Sequence, residues 1–186
     1  ITNAQFIRMS PRSLRVEPIL TMTNVRGSSF IRSLHLNSMN NQMPNSNLNL
    51  IVANLFNSFF GTSALCEKIN IDEARYIVML SEFNMQAITC VDRRRYALFI
   101  HRCSALIVHV SLSPKRFIID RGIETVGAII NFWPRPILLL SCYLSPSITV
   151  TQNRSNLIYT FLDHRRFYDV IFGGDINAEH ASWSLS

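Results

Sequence analysis

A glycine pair followed by an acid near the end of the sequence is the first candidate for chemistry. The stretch YDVIFGGDINAEHASW, residues 168–183, joins an apolar run typical of a buried strand to Asp175 and Asn177. Gly173 and Gly174 allow the backbone to turn sharply or to approach a ligand closely. In extended backbone, Asp175 and Asn177 point the same way because they lie two positions apart. A carboxylate there can orient or deprotonate a water, and an amide can donate hydrogens to a phosphate oxygen.

Two further polar residues follow predicted strands. Asn37 comes after SLHL, and Glu82 follows the continuous apolar run of YIVMLS. If these strand ends converge with that of Asp175, a carboxylate pair and an amide would share one cleft. Hard cations such as magnesium take oxygen ligands from one or two carboxylates and keep several waters. Each residue alone is also an ordinary turn former, so the prediction of a phosphate-bound metal rests on the set of three.

The elements that position these residues are predicted from apolar periodicity. We predict a strand that starts at Phe30 and ends at Asn37, a helix over residues 48–60 that is stopped by Gly61, and a strand ending before Glu82. The helix prediction rests on apolar residues spaced as on one helical face, which are Leu48, Ile51, Val52, Leu55, Phe56, Phe59 and Phe60.

Further along, several short strands and a second helix are expected. The spacing of the strands suggests an antiparallel meander, and the segments are YALFIH, ALIVHV, RFIID, ETVGAIINF and PILLLSCYL. Residues 153–165 have helical spacing and precede the strand that ends at the glycine pair. Mixed strands, with one helix after the first and another before the last, imply sheets packed face to face with helices outside.

Bulk composition places the chain among globular domains. Its 186 residues, 48% of them hydrophobic, are enough for one core. Residues 1–29 are polar and are interpreted as an extension or linker, which leaves residues 30–186 as the domain. The longest apolar run, residues 136–144, is far shorter than the roughly 20 residues that cross a bilayer, so we expect no membrane partner.

The first residue of the sequence and its cysteines suggest what kind of chain this is and in which cellular compartment it lies. The sequence starts at Ile1 without a secretory pattern, which favours a fragment of a longer protein. Its four cysteines are widely spaced and match no zinc motif, so we interpret them as reduced, packed thiols of an intracellular protein.

Positive charge suggests a class of partner. The formal net charge is +6 and comes almost entirely from arginine, whose planar fork matches phosphate oxygens. A polyanionic partner is one interpretation and ordinary solvation is the other. The run Arg93, Arg94 and Arg95 follows the strand of Glu82 in a loop, and this position favours contact with a DNA backbone over a solvated turn.

Four motifs in order resemble those of a known family. GGDINAEHASW resembles the G-D-x-N-A-x-H-x-x-W signature of the endonuclease/exonuclease/phosphatase superfamily, in the version found in the endonuclease domains of non-LTR retrotransposons. LHLNSMN resembles the opening motif, with its asparagine at Asn37. IVMLSEFN resembles the motif with the metal-binding glutamate, at Glu82, and LLLSCYLSPS resembles the strand with the active-site tyrosine, at Tyr143.

The resemblance implies a fold and a set of roles. The fold would be a four-layer αββα sandwich of the α/β (α+β) class, with two mixed β-sheets flanked by helices and incomplete at the C-terminus. Glu82 would hold a divalent metal, magnesium or manganese, with Asn37 close to it. Asp175 would orient or activate the attacking water, Asn177 would touch the scissile phosphate, and Tyr143 would assist through its hydroxyl.

The implied protein is a DNA endonuclease that nicks its target in the nucleus, within a polyprotein that includes a reverse transcriptase. His180 and Trp183 would brace the loop beside the site. Two departures stand out: the connector between Asn37 and Glu82 is rather long, and a C-terminal serine-aspartate-histidine motif is missing. The alternatives are an inactive truncated remnant that binds nucleic acid and another phosphoesterase of the same superfamily.

Overall fold

The computed structural model describes most of the chain between residues 48 and 175 and three shorter stretches before it. The described ranges are 4–9, 16–17, 30–36, 48–119, 124–131, 135–144, 155–156, 159–160 and 162–175, and the first three are described by their backbone. Eleven strands are present among them: β1 (Ala4–Met9), β2 (Val16–Glu17), β3 (Phe30–Leu36), β4 (Leu48–Asn54), β5 (Arg75–Ser81), β6 (Tyr96–His101), β7 (Ser104–His109), β8 (Lys115–Phe117), β9 (Glu124–Ile130), β10 (Ile137–Tyr143) and β11 (Asp169–Asp175). Helix α1 spans Phe59–Ile71, and helical residues occur again at 155–156, 159–160 and 162–164.

The strands form two mixed sheets. One sheet has the order β1-β11-β10-β9-β8, and the other has the order β2-β3-β4-β5-β7-β6. Each sheet contains one parallel pair, β10 with β11 and β4 with β5, and the other neighbouring pairs for which the register is defined are antiparallel. Parallel strands end at the same edge of a sheet, so the residues that follow β4 and β5 lie together, as do those that follow β10 and β11. The predicted pair of mixed sheets is confirmed.

Three apolar clusters define the layers. One lies between the two sheets and includes Leu50, Met79, Leu106 and Leu139. A second cluster joins the outer face of the six-stranded sheet to Leu65, Cys66 and Ile69 of α1. A third covers the outer face of the five-stranded sheet, where the ring of Phe117 packs edge-on against His164. The predicted sandwich of two sheets with helices outside is therefore confirmed.

Two hydrogen bonds tie the sheets together, one of them buried near the ends of the parallel strands. The hydroxyl of Ser141 on β10 donates to the carbonyl oxygen of Leu80 on β5 at 3.1 Å. The hydroxyl of Ser104 on β7 donates to the carbonyl oxygen of Glu124 on β9 at 2.7 Å. Because each bond uses a side chain of one sheet and a backbone carbonyl of the other, it fixes how the sheets are aligned at this edge.

The predicted helix over residues 48–60 is wrong. Residues 48–54 form β4, which is buried at all seven positions, and α1 begins only at Phe59. Ser58 caps α1 because its hydroxyl accepts a hydrogen bond from the backbone N–H of Gly61 at 3.0 Å. An apolar run covered on both faces carries no strict alternation, so the apolar residues of β4 and of the first turn of α1 together imitate a helical stripe.

Part of the predicted N-terminal extension belongs to the sheets. Strand β1 pairs antiparallel with β11, from Ala4 opposite Asp175 to Met9 opposite Val170. Strand β2 pairs with the end of β3. Strand β1 thus covers the edge of β11 that β10 does not pair with. Which strand pairs with which depends on residues far apart in sequence, so the polar composition of residues 1–29 did not predict this pairing.

The predicted antiparallel meander is present in two separate pieces, and two of the four cysteines are buried as expected. Strands β6 and β7 pair antiparallel, as do β8, β9 and β10 in sequence, but the two groups lie in different sheets. All four cysteines are free, and Cys66 and Cys142 are buried, whereas Cys90 is exposed. Among the described residues, no helix has the length and apolar character needed to cross a membrane.

Candidate active site

One asparagine joins the two acids that the sequence singled out. The side-chain nitrogen of Asn54, the last residue of β4, donates to Glu82 Oε2 at 2.9 Å and to Asp175 Oδ2 at 2.6 Å. Its side-chain oxygen accepts from the backbone N–H of Phe56 at 3.0 Å, so the whole amide is used. Both carboxylates bond the same nitrogen, and they therefore face one small volume at the shared edge of the two sheets.

Tyr143, the last residue of β10, completes this cluster. Its hydroxyl donates to Glu82 Oε1 at 3.0 Å, so the two oxygens of Glu82 are held by different partners. Burial, followed by the hydrogen bond to Glu82 and the negative charge around it, raises the pKa of Tyr143 to about 12. The phenol is therefore a proton-bearing donor at neutral pH and positions the Glu82 carboxylate.

The glycine pair before Asp175 is required by packing. A side chain at Gly173 would meet Met79 Sδ at 2.8 Å and Val52 at 3.0 Å, both on the opposite sheet. Gly174 has φ of +141°, and a Cβ there would lie 1.9 Å from the carbonyl oxygen of Cys142. The glycines therefore let β11 approach β10 and the facing sheet closely enough to bring Asp175, 1% exposed, into the cluster.

Two loops enclose the site and are tied to each other. Glu82 adopts a left-handed backbone conformation, with φ of 47°, as do Phe56 and Asn57. The backbone N–H of Asn57 donates to the carbonyl oxygen of Glu82, and the N–H of Glu82 donates to the carbonyl oxygen of Cys103 at 2.9 Å. Such a conformation is uncommon for residues with a side chain and is held here by these backbone bonds.

The side chains fit a hard divalent cation in type and placement. Glu82 is partly exposed, while Asp175 is buried beside it, and the candidate ligand atoms are their carboxylate oxygens, one of each being bonded to the side-chain nitrogen of Asn54. Among the described side chains, no group of three or more His, Cys, Asp or Glu residues is arranged to hold a metal by itself. Magnesium commonly binds one or two carboxylates and completes its shell with water and substrate phosphate. The cluster offers that minimal set, with Glu82 as the more accessible acid.

Four of the predicted site residues lie outside the described residues: Asn37, Asn177, His180 and Trp183. The roles assigned to them stay predictions. Leu36, the last residue of β3, is paired with Leu48 at the start of β4. Six residues of extended chain, about 20 Å, separate Leu48 from Asn54. Within the described chain it is therefore Asn54 that supplies the amide beside Glu82.

The three consecutive arginines are not brought to this cluster. They precede Tyr96, which is paired with His109, whereas the end of the sheet near Glu82 holds the pair of His101 and Ser104. This separation is about 17 Å along the strands. The guanidinium of Arg95 donates to the carbonyl oxygens of Asn70 and Asp72 at the C-terminal end of α1. Arg93, Arg94 and Arg95 therefore lie toward the end of the sheet away from Glu82, and their contact with a DNA backbone stays a prediction.

Arg102 lies near Glu82, because the strand pairing puts Ser104, two residues after it, opposite Ser81. It lies in the turn between β6 and β7 and forms an ion pair with Glu124 at 3.4 Å. Glu124 is paired across the sheet with Tyr143. Burial, followed by the charges of Glu124 and Glu82, raises the pKa of the neighbouring Cys103. The positive charge of Arg102 is therefore paired with Glu124 at the edge of the sheet that holds Tyr143.

Asn54 is the site residue that sequence reasoning missed. The signal was present, because LNLIVAN is a seven-residue apolar run that ends in a polar residue, like the strands before Glu82 and Asp175. A second signal was the long connector from Asn37 to Glu82. An asparagine at position 54 gives a shorter connector to Glu82, and the strand that it ends, β4, pairs directly with β5.

Comparison with known proteins identifies the fold. No protein-family model matches the chain, and no curated protein does. Among solved structures, the endonuclease domain of TRAS1, a telomere-specific non-LTR retrotransposon, matches with a TM-score of 0.54 and 20% identity over 72% of this chain. Truncated TDP2 of Caenorhabditis elegans matches with a TM-score of 0.50 and 18% identity over 65% of this chain. The chain spans 61% and 56% of the length of those two structures, respectively, and at such identities the likeness shows a shared fold.

Proposed function

We propose that this chain, which has the fold of the endonuclease/exonuclease/phosphatase superfamily, is a metal-dependent phosphodiesterase that nicks DNA. In this proposal it is the endonuclease domain of a non-LTR retrotransposon polyprotein that also contains a reverse transcriptase, and it acts in the nucleus. The observation that carries the proposal is the bridge from Asn54 to both Glu82 and Asp175.

The geometry assigns a different task to each acid. Glu82 would hold the cation, because Tyr143 and Asn54 fix its two oxygens in one orientation. When bound, magnesium or manganese would stabilise the negative charge that develops on the phosphate oxygens. Asp175 is fixed by Asn54 and lies buried at the end of β11, where its carboxylate can orient a water and accept its proton.

The choice of DNA as substrate has separate support. The GGDINAEHASW signature resembles the retrotransposon branch, and the fold is shared with the TRAS1 endonuclease domain. The net charge of +6 is favourable for a polyanion. Fold alone does not fix a substrate, so the signature is the feature that selects DNA.

Nicking of supercoiled plasmid tests the proposal. The full chain is incubated with plasmid and Mg²⁺ or Mn²⁺, and with excess chelator in a parallel reaction, while DNA binding is measured on the same preparation. We expect conversion to open circles that depends on the metal. Salt-sensitive DNA binding without metal-dependent nicking would instead identify an inactive remnant. Hydrolysis of simple phosphoesters without nicking would identify another phosphoesterase of the superfamily.

Replacing Tyr143 with phenylalanine should weaken nicking without abolishing it. Loss of one hydrogen bond to a charged carboxylate corresponds to about a 10- to 100-fold lower rate. Because the pKa of Tyr143 is raised to about 12, the phenol stays protonated from about pH 7 to about pH 10. The rates of wild type and Y143F, measured across that range, should therefore differ by a constant factor. A wild-type rate that falls near pH 10 while that of Y143F does not would contradict this role.

A further inference from the structure

Exposed apolar side chains gather around the site. Among the described side chains, ten large hydrophobic residues are exposed, and four of them lie in the two segments that follow Asn54 and Glu82. They are Phe56, Phe59, Phe60 and Met85. Phe60 is the most exposed, at 85%, and its ring lies edge-on to that of Phe59 with 6.0 Å between centroids. A group of solvent-exposed apolar side chains next to a polar site indicates a binding surface.

Hydrogen bonds connect the two segments that carry these exposed side chains to Asn54 and to each other. Phe56 donates its backbone N–H to Asn54, and Asn84 donates its side-chain N–H to the carbonyl oxygen of Asn57, at 3.4 Å. Phe59 and Phe60 occupy the first turn of α1. Side chains in a helix lean toward its N-terminus, so both rings lean toward the loop that begins at Asn54.

We infer that Phe60, supported by Phe59, stacks on an unpaired nucleobase next to the phosphate held at Glu82. This inference rests on the proposed function and narrows its substrate to DNA with an unstacked base beside the cut. Aromatic rings bind the faces of bases in single strands without regard to sequence. The bases of a closed duplex do not offer those faces. Stacking on the ring of Phe60, which is 85% exposed, therefore requires a single-stranded or locally opened segment.

Binding to two strands of equal charge tests the inference. Fluorescence anisotropy, with chelator present so that nothing is cut, gives dissociation constants for oligothymidylate of about 20 nucleotides and for an abasic strand of the same length. Phe60→Ala should weaken binding of oligothymidylate about 5- to 100-fold and leave binding of the abasic strand unchanged. Phe60→Trp should retain the affinity of wild type, and Phe60→Leu should lose most of it.

Ile71→Ala is the matched control. Ile71 is 74% exposed at the other end of α1, about 16 Å along the axis from Phe60. Its replacement should leave both dissociation constants unchanged. The inference fails if wild type binds both strands equally, if Phe60→Ala weakens both to the same degree, or if Phe60→Leu binds as wild type does. None of these readouts requires cleavage, so failure of the nicking assay is a separate result.

Discussion

Replacing Asp175 with asparagine is expected to lower the rate of plasmid nicking by about a thousandfold, the size of effect seen when a positioned base is lost. An amide cannot accept a proton from water, although its oxygen can still accept the hydrogen bond from Asn54. The fold should therefore survive. The measurement is the initial nicking rate with Mg²⁺, together with circular dichroism spectra of both proteins.

Asp163→Asn provides the control for this prediction. Asp163 is exposed on the segment before β11, and its replacement removes the same charge from the protein. Nicking by this variant should remain close to that of wild type. If D175N has a native spectrum and nicks DNA within about tenfold of wild type, Asp175 is not the base.

Alanine at Gly174 is expected to cost at least about 3 kcal/mol of the free energy of unfolding, because it adds both a steric clash and backbone strain. The added Cβ would lie 1.9 Å from the carbonyl oxygen of Cys142, which is backbone and cannot rotate away. Residue 174 also has φ of +141°, a conformation that side chains disfavour. Urea denaturation measures the loss, and nicking should fall with it because Asp175 is the next residue.

Gly61→Ala separates this effect from a general intolerance of alanine. A Cβ at Gly61 would meet Ser58 Oγ at 3.2 Å, and the position lies in the first turn of α1. Alanine favours helices, so the free energy of unfolding should change by less than about 1 kcal/mol. Equal denaturation midpoints for the two variants would show that the close approach at Gly174 does not stabilise the fold.

The predictable part of the site was its set of strand ends. Glu82 and Asp175 each follow a predicted apolar strand, and the structure places them together with Tyr143, which the resemblance named. A continuous apolar run predicts a strand covered on both faces, and the first polar residue after it marks the edge of the sheet. The sandwich of two sheets also followed from the order of helices and strands.

Asn54 was missed because the strand that it ends, β4, does not alternate apolar and polar residues. All seven residues of β4 are buried, and the apolar residues of the next helix turn follow closely, so the combined pattern had helical spacing. Propensity pointed the other way, since Ile51 and Val52 are β-branched residues that favour strands. The stop at Gly61 was likewise misread, because this glycine lies inside α1 and bonds to its cap.

Strand pairing accounts for the other features that the sequence did not predict. The position of Arg95 at the end of α1 and the pairing of β1 with β11 depend on contacts between residues far apart in sequence. A loop that follows the strand of Glu82 need not lie near Glu82 when the chain continues into an antiparallel strand. Register, which no local pattern specified here, decided where those arginines lie.

Binding of Mn²⁺ is the most direct test of the central claim, that Glu82 holds a cation beside Asp175 and that Asn54 bonds to both acids. Electron paramagnetic resonance of free Mn²⁺, titrated with protein, gives the affinity without DNA or turnover. Wild type should bind one ion, and Glu82→Gln should bind it at least about tenfold more weakly, while Glu67→Gln, on the exposed face of α1, should match wild type. Equal affinity in wild type and E82Q, or no binding by wild type, would contradict the account.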